Sequence, residues 1–303
     1  MADTRKTVLI TGAGVGGIGG SLAEEFHLKG YRVFATARDL TTVQELVDKY
    51  SMETLRLDVT SAESVRAAAE EISRRAGGKL DVLVNNAGLG VVTPATDLLI
   101  ETVVKSMFEV NVFGVMRMVQ EFSGLLIAAE GTIVNIGSVA AVIPYTFGSA
   151  YNATKGALHS YSDTLRVEMK PFKCVLSPAR SIYGRSVKVM VIVTGGVKTN
   201  IARHGTTLRP GSIYMPILDF FHKRVTDSQD GAMNRDAYAR SVVAQVMKPD
   251  WRKPAWFWNG NKATIVWLMR TFLWSTAFDF RMMRVFGLFK LKRIVAAEKR
   301  KKD

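Results

Sequence analysis

The chain has 303 residues, of which 48% are hydrophobic and 22% charged, and its formal net charge is +14. This composition excludes an extensively disordered protein, because the apolar fraction is that of an ordinary globular core. The single cysteine, Cys174, excludes an internal disulfide framework and a multi-cysteine metal site, so we expect no bound metal and a reducing compartment.

The N-terminal residues lead directly into the first predicted strand. Met1 to Lys6 lack the apolar stretch of a secretory signal. We therefore expect the protein on the cytoplasmic side of membranes.

Short β-branched runs alternate with amphipathic stretches of helical length from Thr7 to about Val193. This alternation predicts βαβ units around a parallel sheet. The predicted strands are 7–11, 32–37, 54–57, 80–85, 132–136 and 187–193, and the predicted helices include 17–29, 62–75, 101–127 and 149–170. No Pro/Gly/Ser-rich linker divides the region, so the predicted fold class is α/β, a doubly wound parallel sheet (Rossmann fold) in a single domain with a C-terminal helical extension.

A glycine-rich turn follows the first strand and directly precedes a helix. Glycines let the backbone turn tightly and approach a pyrophosphate, whose charge the helix N-terminus favours. The turn therefore predicts a dinucleotide phosphate site, and its candidate cofactor-binding residues are Gly12, Gly14, Gly17, Ile18 and Gly19.

The end of the second strand indicates which dinucleotide binds. A carboxylate there would bind the ribose 2′-hydroxyl of NAD. Thr36, Ala37 and Arg38 occupy this place instead, and Arg38 can pair with a 2′-phosphate. Asp39 follows at once, but the pattern favours NADP(H) as the cofactor.

Polar residues also end the third and fourth predicted strands. Asp58 follows the third strand, and Asn85 and Asn86 close the fourth. Both sets lie where the adenine and ribose of a dinucleotide would be held. Taken singly, each set could also be ordinary turn chemistry, since Asp and Asn satisfy nearby backbone groups.

The strongest catalytic pattern surrounds the fifth strand and the helix after it. Ser138 precedes Tyr151 by thirteen residues, and Lys155 follows the tyrosine by four. Residues i and i+4 share a helix face, so the Lys155 ammonium can lie beside the phenol and lower its pKa toward neutrality. Ser138 can hydrogen-bond the substrate oxygen. Asn111, a polar residue in an apolar stretch, can hold a water that links Lys155 to solvent.

Two segments interrupt the regular pattern. Residues 173–188 form an unusually long connection with four basic residues and no acid, which predicts a surface insertion. The C-terminal third contains an apolar stretch at 263–278 and then, at 279–303, nine Lys or Arg and three acidic residues with a net charge of +6. The apolar stretch is short for a membrane span and suits a helix in the membrane interface, or one packed on the domain core or at a subunit contact.

We accordingly divide the chain into three parts. Residues 1–200 form the dinucleotide-binding and catalytic core, and 201–260 form a substrate-loop region with the last strand of the same domain. Residues 261–303 form a hydrophobic helix and a basic tail, which suits anionic lipid or a solvated chain end.

Together these residues resemble the short-chain dehydrogenase/reductase family over about residues 7–199. The resemblance implies an NADP-dependent oxidoreductase acting on CH–OH groups, in which the dinucleotide delivers hydride and Tyr151 protonates the developing alkoxide. It implies a catalytic tetrad of Asn111, Ser138, Tyr151 and Lys155. The residues that it implies for cofactor binding are the glycine turn, Thr36, Arg38, Asp58, Asn85, Asn86, Tyr151, Lys155, Val197 and Thr199, the last two on the carboxamide side of nicotinamide. Thr194-Gly195 stands where the family usually has Pro-Gly.

More narrowly, the glycine turn and residues 194–199 and 256–262 look like the fungal NADPH-dependent 1-acyldihydroxyacetone-phosphate reductases. This resemblance implies reduction of 1-acyldihydroxyacetone phosphate to 1-acylglycerol 3-phosphate, at the endoplasmic reticulum or the lipid-droplet surface. One alternative is a tailoring ketoreductase or alcohol dehydrogenase of a fungal polyketide or terpenoid pathway. Another, from a different class, is a non-catalytic dinucleotide-binding or membrane scaffold protein.

The expected partner is a hydrophobic small-molecule carbonyl or alcohol, with peripheral membrane or lipid-droplet contact through 261–303. No nucleic acid is expected, since no recognised module accompanies the basic tail. The resemblance implies a homo-oligomer formed through the long helices, a packing that an exposed C-terminal helix would block.

Overall fold

A parallel sheet of seven strands forms the centre of the protein. The computed structural model describes residues 3–172, 186–199 and 208–301. The strands are β1 (Thr7–Thr11), β2 (Arg32–Ala37), β3 (Glu53–Arg56), β4 (Val82–Asn85), β5 (Thr132–Ile136), β6 (Lys188–Thr194) and β7 (Trp256–Asn259), and they lie in the order β3-β2-β1-β4-β5-β6-β7. The order reverses between β1 and β4, which places a ligand crevice beyond the carboxyl ends of these two strands.

Helices cover both faces of the sheet. They are α1 (Ile18–Leu28), α2 (Gln44–Tyr50), α3 (Ala62–Arg75), α4 (Ile100–Ala129), α5 (Ser149–Glu168), α6 (Leu218–Asp227), α7 (Arg235–Val246), α8 (Ala263–Phe272), α9 (Asp279–Val285) and α10 (Leu288–Lys299). Alternate residues of β1 face opposite sides, so Val8 and Ile10 pack with α1 and α7, whereas Leu9 packs with α3, α4 and α5. Burial on both faces explains why the central strands read as continuous apolar runs.

The predicted fold class is confirmed, and the predicted strands match the observed ones to within two residues at either end. Several helices differ from the sequence-based expectation. Helices α6 and α7 lie in the region predicted as substrate loops, and α9 and α10 lie in the region predicted as a basic tail. The short helix α2 was not predicted, because it presents only Leu46 to the core and lacks a clear apolar face. The predicted apolar helix at 263–278 ends at Phe272, where the chain becomes extended before α9 begins.

Helix α4 is long and apolar enough to cross a membrane by length and composition. Its buried face nevertheless packs on the sheet, with Met118, Phe122 and Leu126 fully buried in the domain core. The helix contains two π-helical turns, Ile100–Val104 and Glu109–Phe113. The second of these turns carries a predicted catalytic residue.

The last two helices fold back onto the domain. Phe286, in the link between α9 and α10, is 1% exposed and packs with Phe147 and Phe221 in a third apolar cluster. Residues 279–299 therefore lie against the domain as helices, and their basic side chains face outward around this anchor. Cys174 and positions 173–185 of the predicted insertion lie outside the described residues.

Candidate active site

The glycine-rich turn leads from β1 into α1 at the carboxyl edge of the sheet. Gly12 and Gly16 have φ angles of +67° and +83°, a left-handed conformation that favours glycine. A Cβ on Gly19 would collide with the Gly12 carbonyl oxygen and the Asn86 side chain. Helix α1 starts after Gly17 without a side-chain cap, so its first N–H groups can bind an anion.

Thr11 and Asn86 tie this turn to the end of β4. Asn86 Nδ2 donates to the carbonyl oxygens of Thr11 and Gly12, both at 2.9 Å. The Thr11 hydroxyl accepts hydrogen bonds from the backbone N–H groups of Asn86 and Ala87, both at 3.0 Å. Asn86 therefore lies beside the glycine turn, where its amide holds the shape of the turn. Gly14 and Ile18 lie half-buried on the same turn.

The end of β2 presents a cation to the same edge. Arg38 is exposed directly after the strand, whereas Thr36 is fully buried and donates its hydroxyl to the Ile10 carbonyl oxygen at 2.9 Å. The Asp39 carboxylate accepts hydrogen bonds from the Thr41 hydroxyl at 2.8 Å and the Thr41 N–H at 3.0 Å, which lower the pKa of Asp39. Arg38 is thus the side chain at this strand end that can pair with a ribose phosphate. The Thr36 hydroxyl is bonded within the sheet, so Thr36 supports the site by holding the end of β2 in place.

Asp58 and Asn85 have polar partners of their own. Thr60 donates its N–H and its hydroxyl to Asp58 Oδ1, at 2.9 and 2.8 Å. Burial would raise the pKa of Asp58, but these bonds and the charge of Arg38 outweigh it and hold the pKa below its usual value. Asn85 is 3% exposed and its Nδ2 donates to Asn135 Oδ1 at 2.9 Å. The Asn85 side chain therefore belongs to the core, while Asp58 stays at the edge of the crevice.

Ser138, Tyr151 and Lys155 converge at the carboxyl end of β5. Lys155 Nζ donates to the Ile136 carbonyl oxygen at 2.8 Å and lies 5.9 Å from the centre of the Tyr151 ring. The Ser138 hydroxyl accepts a hydrogen bond from the Ala140 N–H at 3.1 Å. Its interaction with the Tyr151 phenol acts to lower the pKa of that phenol. The structure thus brings together three of the four predicted catalytic side chains.

Burial determines the protonation of this cluster. It raises the pKa of the Tyr151 phenol above its ordinary value, against the opposing effects of the Ser138 hydrogen bond and the charge of Arg224. Burial also lowers the pKa of Lys155 to about 8. The expectation that Lys155 lowers the phenol pKa toward neutrality is not met in this geometry, because the ammonium is desolvated and directed at a carbonyl oxygen. At neutral pH the phenol therefore holds its proton.

Asn111 joins the same cluster through the second π-helical turn of α4. It is 1% exposed, its Oδ1 accepts from the Leu89 N–H at 2.8 Å, and its Nδ2 donates to the Leu89 carbonyl oxygen at 2.8 Å and to Thr154 Oγ1 at 3.0 Å. A Cβ on Gly88 would lie 3.3 Å from Asn111 Oδ1 and 3.9 Å from Lys155 Nζ. The two side chains therefore face one small space, which places Asn111 beside Lys155 as predicted.

The predicted carboxamide-binding residues follow β6 at the same edge. Val197 is 4% exposed, and the Thr199 N–H donates to Gln229 Oε1 at 3.1 Å. A Cβ on Gly195 would collide with the Asn261 carbonyl oxygen, so this position requires glycine even without a preceding proline. The segment after β6 is held by the segment after β7, and both border the crevice.

Two buried side chains near the cluster were not predicted. His159 is 4% exposed, and its Nε2 accepts a hydrogen bond from the Ser138 N–H at 3.2 Å. The spacing of four between Tyr151, Lys155 and His159 is a sequence signal that places all three on one face of α5. Arg224, on α6, is 4% exposed, and no local pattern in the sequence connects it with Tyr151.

The sheet order, the glycine turn and the Ser-Tyr-Lys cluster define a dinucleotide-binding oxidoreductase of the Rossmann type. The family model of the short chain dehydrogenases matches residues 6–207. The chain belongs to this family of oxidoreductases.

Individual relatives extend this assignment along the chain. The short-chain dehydrogenase srdE of Neurospora crassa is 40% identical over 302 residues, 99% of this chain and 98% of its own length. The NADPH-dependent 1-acyldihydroxyacetone phosphate reductase of Schizosaccharomyces pombe is 45% identical over 199 residues, 66% of this chain and 62% of its own length. The crystal structure of a short-chain dehydrogenase from Streptomyces avermitilis superposes with a TM-score of 0.74 at 25% identity, covering 97% of this chain and 100% of its own.

Proposed function

We propose that the protein is an NADP(H)-dependent reductase that transfers hydride to the carbonyl group of a hydrophobic substrate. The observation that carries the proposal is the Tyr151 phenol beside the Ser138 hydroxyl at the open edge of the sheet. A carbonyl oxygen bound between these hydroxyl groups would accept a hydrogen bond from Ser138 and a proton from Tyr151. Because the pKa of Tyr151 is raised, the phenol is protonated at neutral pH, and it can transfer this proton to the more basic alkoxide that forms on hydride transfer.

The residues at the crevice fit NADP(H), which supplies the hydride when it is bound. The glycine turn and the uncapped start of α1 would hold the pyrophosphate. Arg38 would pair with the 2′-phosphate, since the neighbouring Asp39 carboxylate is bound to Thr41. The name of the fission yeast relative, an NADPH-dependent reductase, supports the same cofactor.

Lys155 and Asn111 would return a proton to the phenol after each turnover. The position beside Gly88 is bordered by Asn111 Oδ1 and Lys155 Nζ. A water there would connect the ammonium to the Asn111 side chain and onward to solvent. A lysine with a pKa of about 8 can both give and take a proton near neutral pH.

Two substrate classes have support. The fission yeast reductase favours 1-acyldihydroxyacetone phosphate, whose product would be 1-acylglycerol 3-phosphate. The aromatic cluster at the start of α5 suits the second class, a bulky ketone of the kind that a tailoring reductase of a polyketide or terpenoid pathway would take. In that cluster Phe147 packs edge-on against Tyr214 and Phe221, with ring centres 5.2 and 5.6 Å apart.

A contact with anionic membranes also fits the C-terminal helices. Trp267 and Phe272 of α8 are 42% and 73% exposed, and Trp274 after it is 70% exposed. The helices α9 and α10 that follow in the sequence are basic, a combination of apolar and cationic segments that suits an anionic membrane surface. Co-flotation with vesicles containing phosphatidylserine, and loss of flotation when Trp267, Phe272 and Trp274 are all replaced by serine, would support a position at the endoplasmic reticulum or lipid-droplet surface.

The first experiment follows absorbance of the nicotinamide band with NADPH or NADH and a substrate panel. The panel holds 1-acyldihydroxyacetone phosphate, a steroid ketone and a small quinone. We expect NADPH to be oxidised faster than NADH, and the best substrate decides between the two classes. Tyr151→Phe should lower kcat about 10²- to 10⁴-fold while NADPH binding is kept; an equally active variant would contradict the proposal.

A further inference from the structure

His159 is a buried side chain of α5 that the proposed reaction does not use. Its ring is 4% exposed and packs edge-on against Trp256, with ring centres 4.9 Å apart. Burial, together with the charge of Lys155, lowers the pKa of the imidazole to about 4, so the ring is neutral at neutral pH and one of its nitrogens can accept a hydrogen bond. His159 is therefore a neutral acceptor close to the residues that carry the chemistry.

The polar contact that this ring makes within the described part of the chain is to the backbone of Ser138. Nε2 accepts a hydrogen bond from the Ser138 N–H at 3.2 Å, which leaves the proton of the neutral ring on Nδ1. Among the described residues, buried Nδ1 has no hydrogen-bond partner. A Cβ on Gly137 would collide with Nε2, so the ring edge lies directly against the backbone that leads into Ser138. The orientation of the imidazole thus serves the contact with Ser138, although it leaves an N–H unpaired.

The two other backbone and hydroxyl bonds of Ser138 are local. Its Oγ accepts from the Ala140 N–H and its carbonyl oxygen accepts from the Ala141 N–H, both at 3.1 Å. These bonds lie within the short 3-10 turn Val139–Ala141 that follows β5. They fix the shape of the turn but not its position relative to α5. The bond to His159 instead ties the Ser138 backbone to α5, the helix that carries Tyr151.

Helix α5 is also tied to β5 itself, at residues before this turn. Ser162 Oγ accepts from Asn135 Nδ2 at 2.8 Å, and Lys155 Nζ donates to the Ile136 carbonyl oxygen at 2.8 Å. These bonds hold the helix against the strand. Loss of either the Ser162 or the His159 bond should weaken the packing of α5, but only loss of the His159 bond acts directly on Ser138.

We propose that His159 is a positioning residue of the active site: its Nε2 holds the Ser138 backbone, and with it the Ser138 hydroxyl, in place relative to the Tyr151 phenol on the same helix. The inference rests on the proposed function, in which these two hydroxyl groups bind one carbonyl oxygen. His159 contacts neither substrate nor cofactor in this role. A displacement of reacting groups by about 1 Å can cost roughly 100-fold in rate, so one bond to the backbone can determine turnover.

His159→Leu and His159→Gln separate positioning from packing. Both variants lose the ring contact with Trp256, but only glutamine keeps an acceptor, because its Oε1 can occupy the place of Nε2. With the best ketone of the panel we expect kcat to fall about 10- to 100-fold in His159→Leu and to stay within about 3-fold of wild type in His159→Gln. The dissociation constant for NADPH should change in neither variant. Steady-state kinetics and NADPH titration measure these quantities.

Ser162→Ala is the matched control, because Ser162 is a buried residue of the same helix that bonds the same strand. It should lower the free energy of unfolding, as His159→Leu does, and keep kcat. Loss of turnover in Ser162→Ala as large as that in His159→Leu would overturn the positioning role. So would unchanged kcat in His159→Leu, or a loss in His159→Gln as large as that in His159→Leu.

Hydrogen exchange of the Ser138 amide, followed by NMR in the complex with NADP⁺, tests the bond without turnover. The amide should exchange slowly in wild type and His159→Gln, and at least about 10-fold faster in His159→Leu. If His159→Leu does not fold, the other two proteins still decide, because a Ser138 amide that exchanges as fast as an exposed loop in either would overturn the proposal. The proposed reductase function fails separately, if no ketone supports NADPH oxidation while the Ser138 amide stays protected.

Discussion

The cofactor side and the substrate side of this site are built in different ways. On the cofactor side, the side chains of Thr11 and Asn86 fix the glycine turn through hydrogen bonds to backbone groups at the ends of two adjacent strands. On the substrate side, Tyr145, Arg224 and Phe286 come from three segments that are far apart in the sequence and meet through aromatic packing. The strand ends therefore determine where the dinucleotide can bind, whereas the substrate side depends on how the C-terminal third is docked.

The largest expected effect comes from a substitution that disrupts the packing of the C-terminal helices on the domain. Phe286→Ala empties a fully buried ring position and should lower the free energy of unfolding by about 3–5 kcal/mol if that segment unfolds with the domain. Carbonyl turnover should fall, while NADPH affinity changes little, because the glycine turn is remote from this cluster. Chemical denaturation and NADPH titration measure both quantities.

Phe280→Ala is the matched control for this change. Phe280 lies on α9 and is 65% exposed, so its loss should alter stability by less than about 0.5 kcal/mol. A Phe286→Ala protein whose affinity for NADPH fell by as large a factor as its turnover would contradict the view that the cofactor side and the substrate side are built independently.

A second test uses the pH dependence of stability at His159. Burial, with help from the charge of Lys155, lowers the pKa of His159 from 6.5 to about 4. Above pH 6.5 the imidazole is neutral in both the folded and the unfolded chain, so it adds no pH dependence to the free energy of unfolding in that range. Between pH 6.5 and about 4 only the unfolded chain takes up the proton, and the free energy of unfolding should fall by about 3 kcal/mol.

His159→Gln should remove that acid-induced loss, because glutamine does not titrate and its carbonyl can still accept from the Ser138 N–H. Urea denaturation of both proteins from pH 7.5 to pH 4.5 makes the comparison. Parallel curves for the two proteins would show that His159 is not the titrating group.

A third change acts on the cofactor side alone. Gly19→Ala places a methyl group against the Gly12 carbonyl oxygen and Asn86, and we expect a loss of about 1–3 kcal/mol of stability together with weaker NADPH binding. Gly124→Ala in α4 is the control, since a Cβ there meets nothing within 4 Å and helix propensity favours alanine. Unchanged NADPH affinity in the Gly19→Ala protein would show that the glycine turn can accommodate a methyl group at this position without losing its shape for binding.

The smallest expected effect concerns the choice between dinucleotides. Arg38→Leu removes the cation at the end of β2 and should weaken NADPH binding about 10-fold, with little change for NADH. Arg66→Leu removes an exposed arginine from α3 and should change neither affinity. Equal loss for both dinucleotides would mean that Arg38 does not contact the 2′-phosphate.

The sequence was most informative where contacts are local or repetitive. Strand β1 was placed at its observed bounds, because all five residues are buried and form one apolar run between a polar start and a glycine turn. The spacing of Ser138, Tyr151 and Lys155 predicted their convergence, since a strand end and one helix face fix their relative positions.

The remaining parts of the site depend on contacts across the whole chain. Arg224 meets Tyr145 across 79 positions of sequence, and nothing near either residue marks the pair. The sign of the Tyr151 pKa shift was also missed, because burial of the phenol outweighs the opposing effects of Ser138 and of the charge of Arg224. The end of α8 at Phe272 was also missed, since the apolar pattern continues unchanged past the break.

The π-helical turn around Asn111 has a consequence for how mutations along α4 would be interpreted. A π-turn accommodates an extra residue, so the side chains on either side of it lie out of phase with a regular 3.6-residue period. A substitution scan along this helix should therefore show a tolerance pattern that shifts its phase at Asn111. Removing one residue within the turn would restore the regular period, but it would rotate the Asn111 amide away from Thr154 and Lys155.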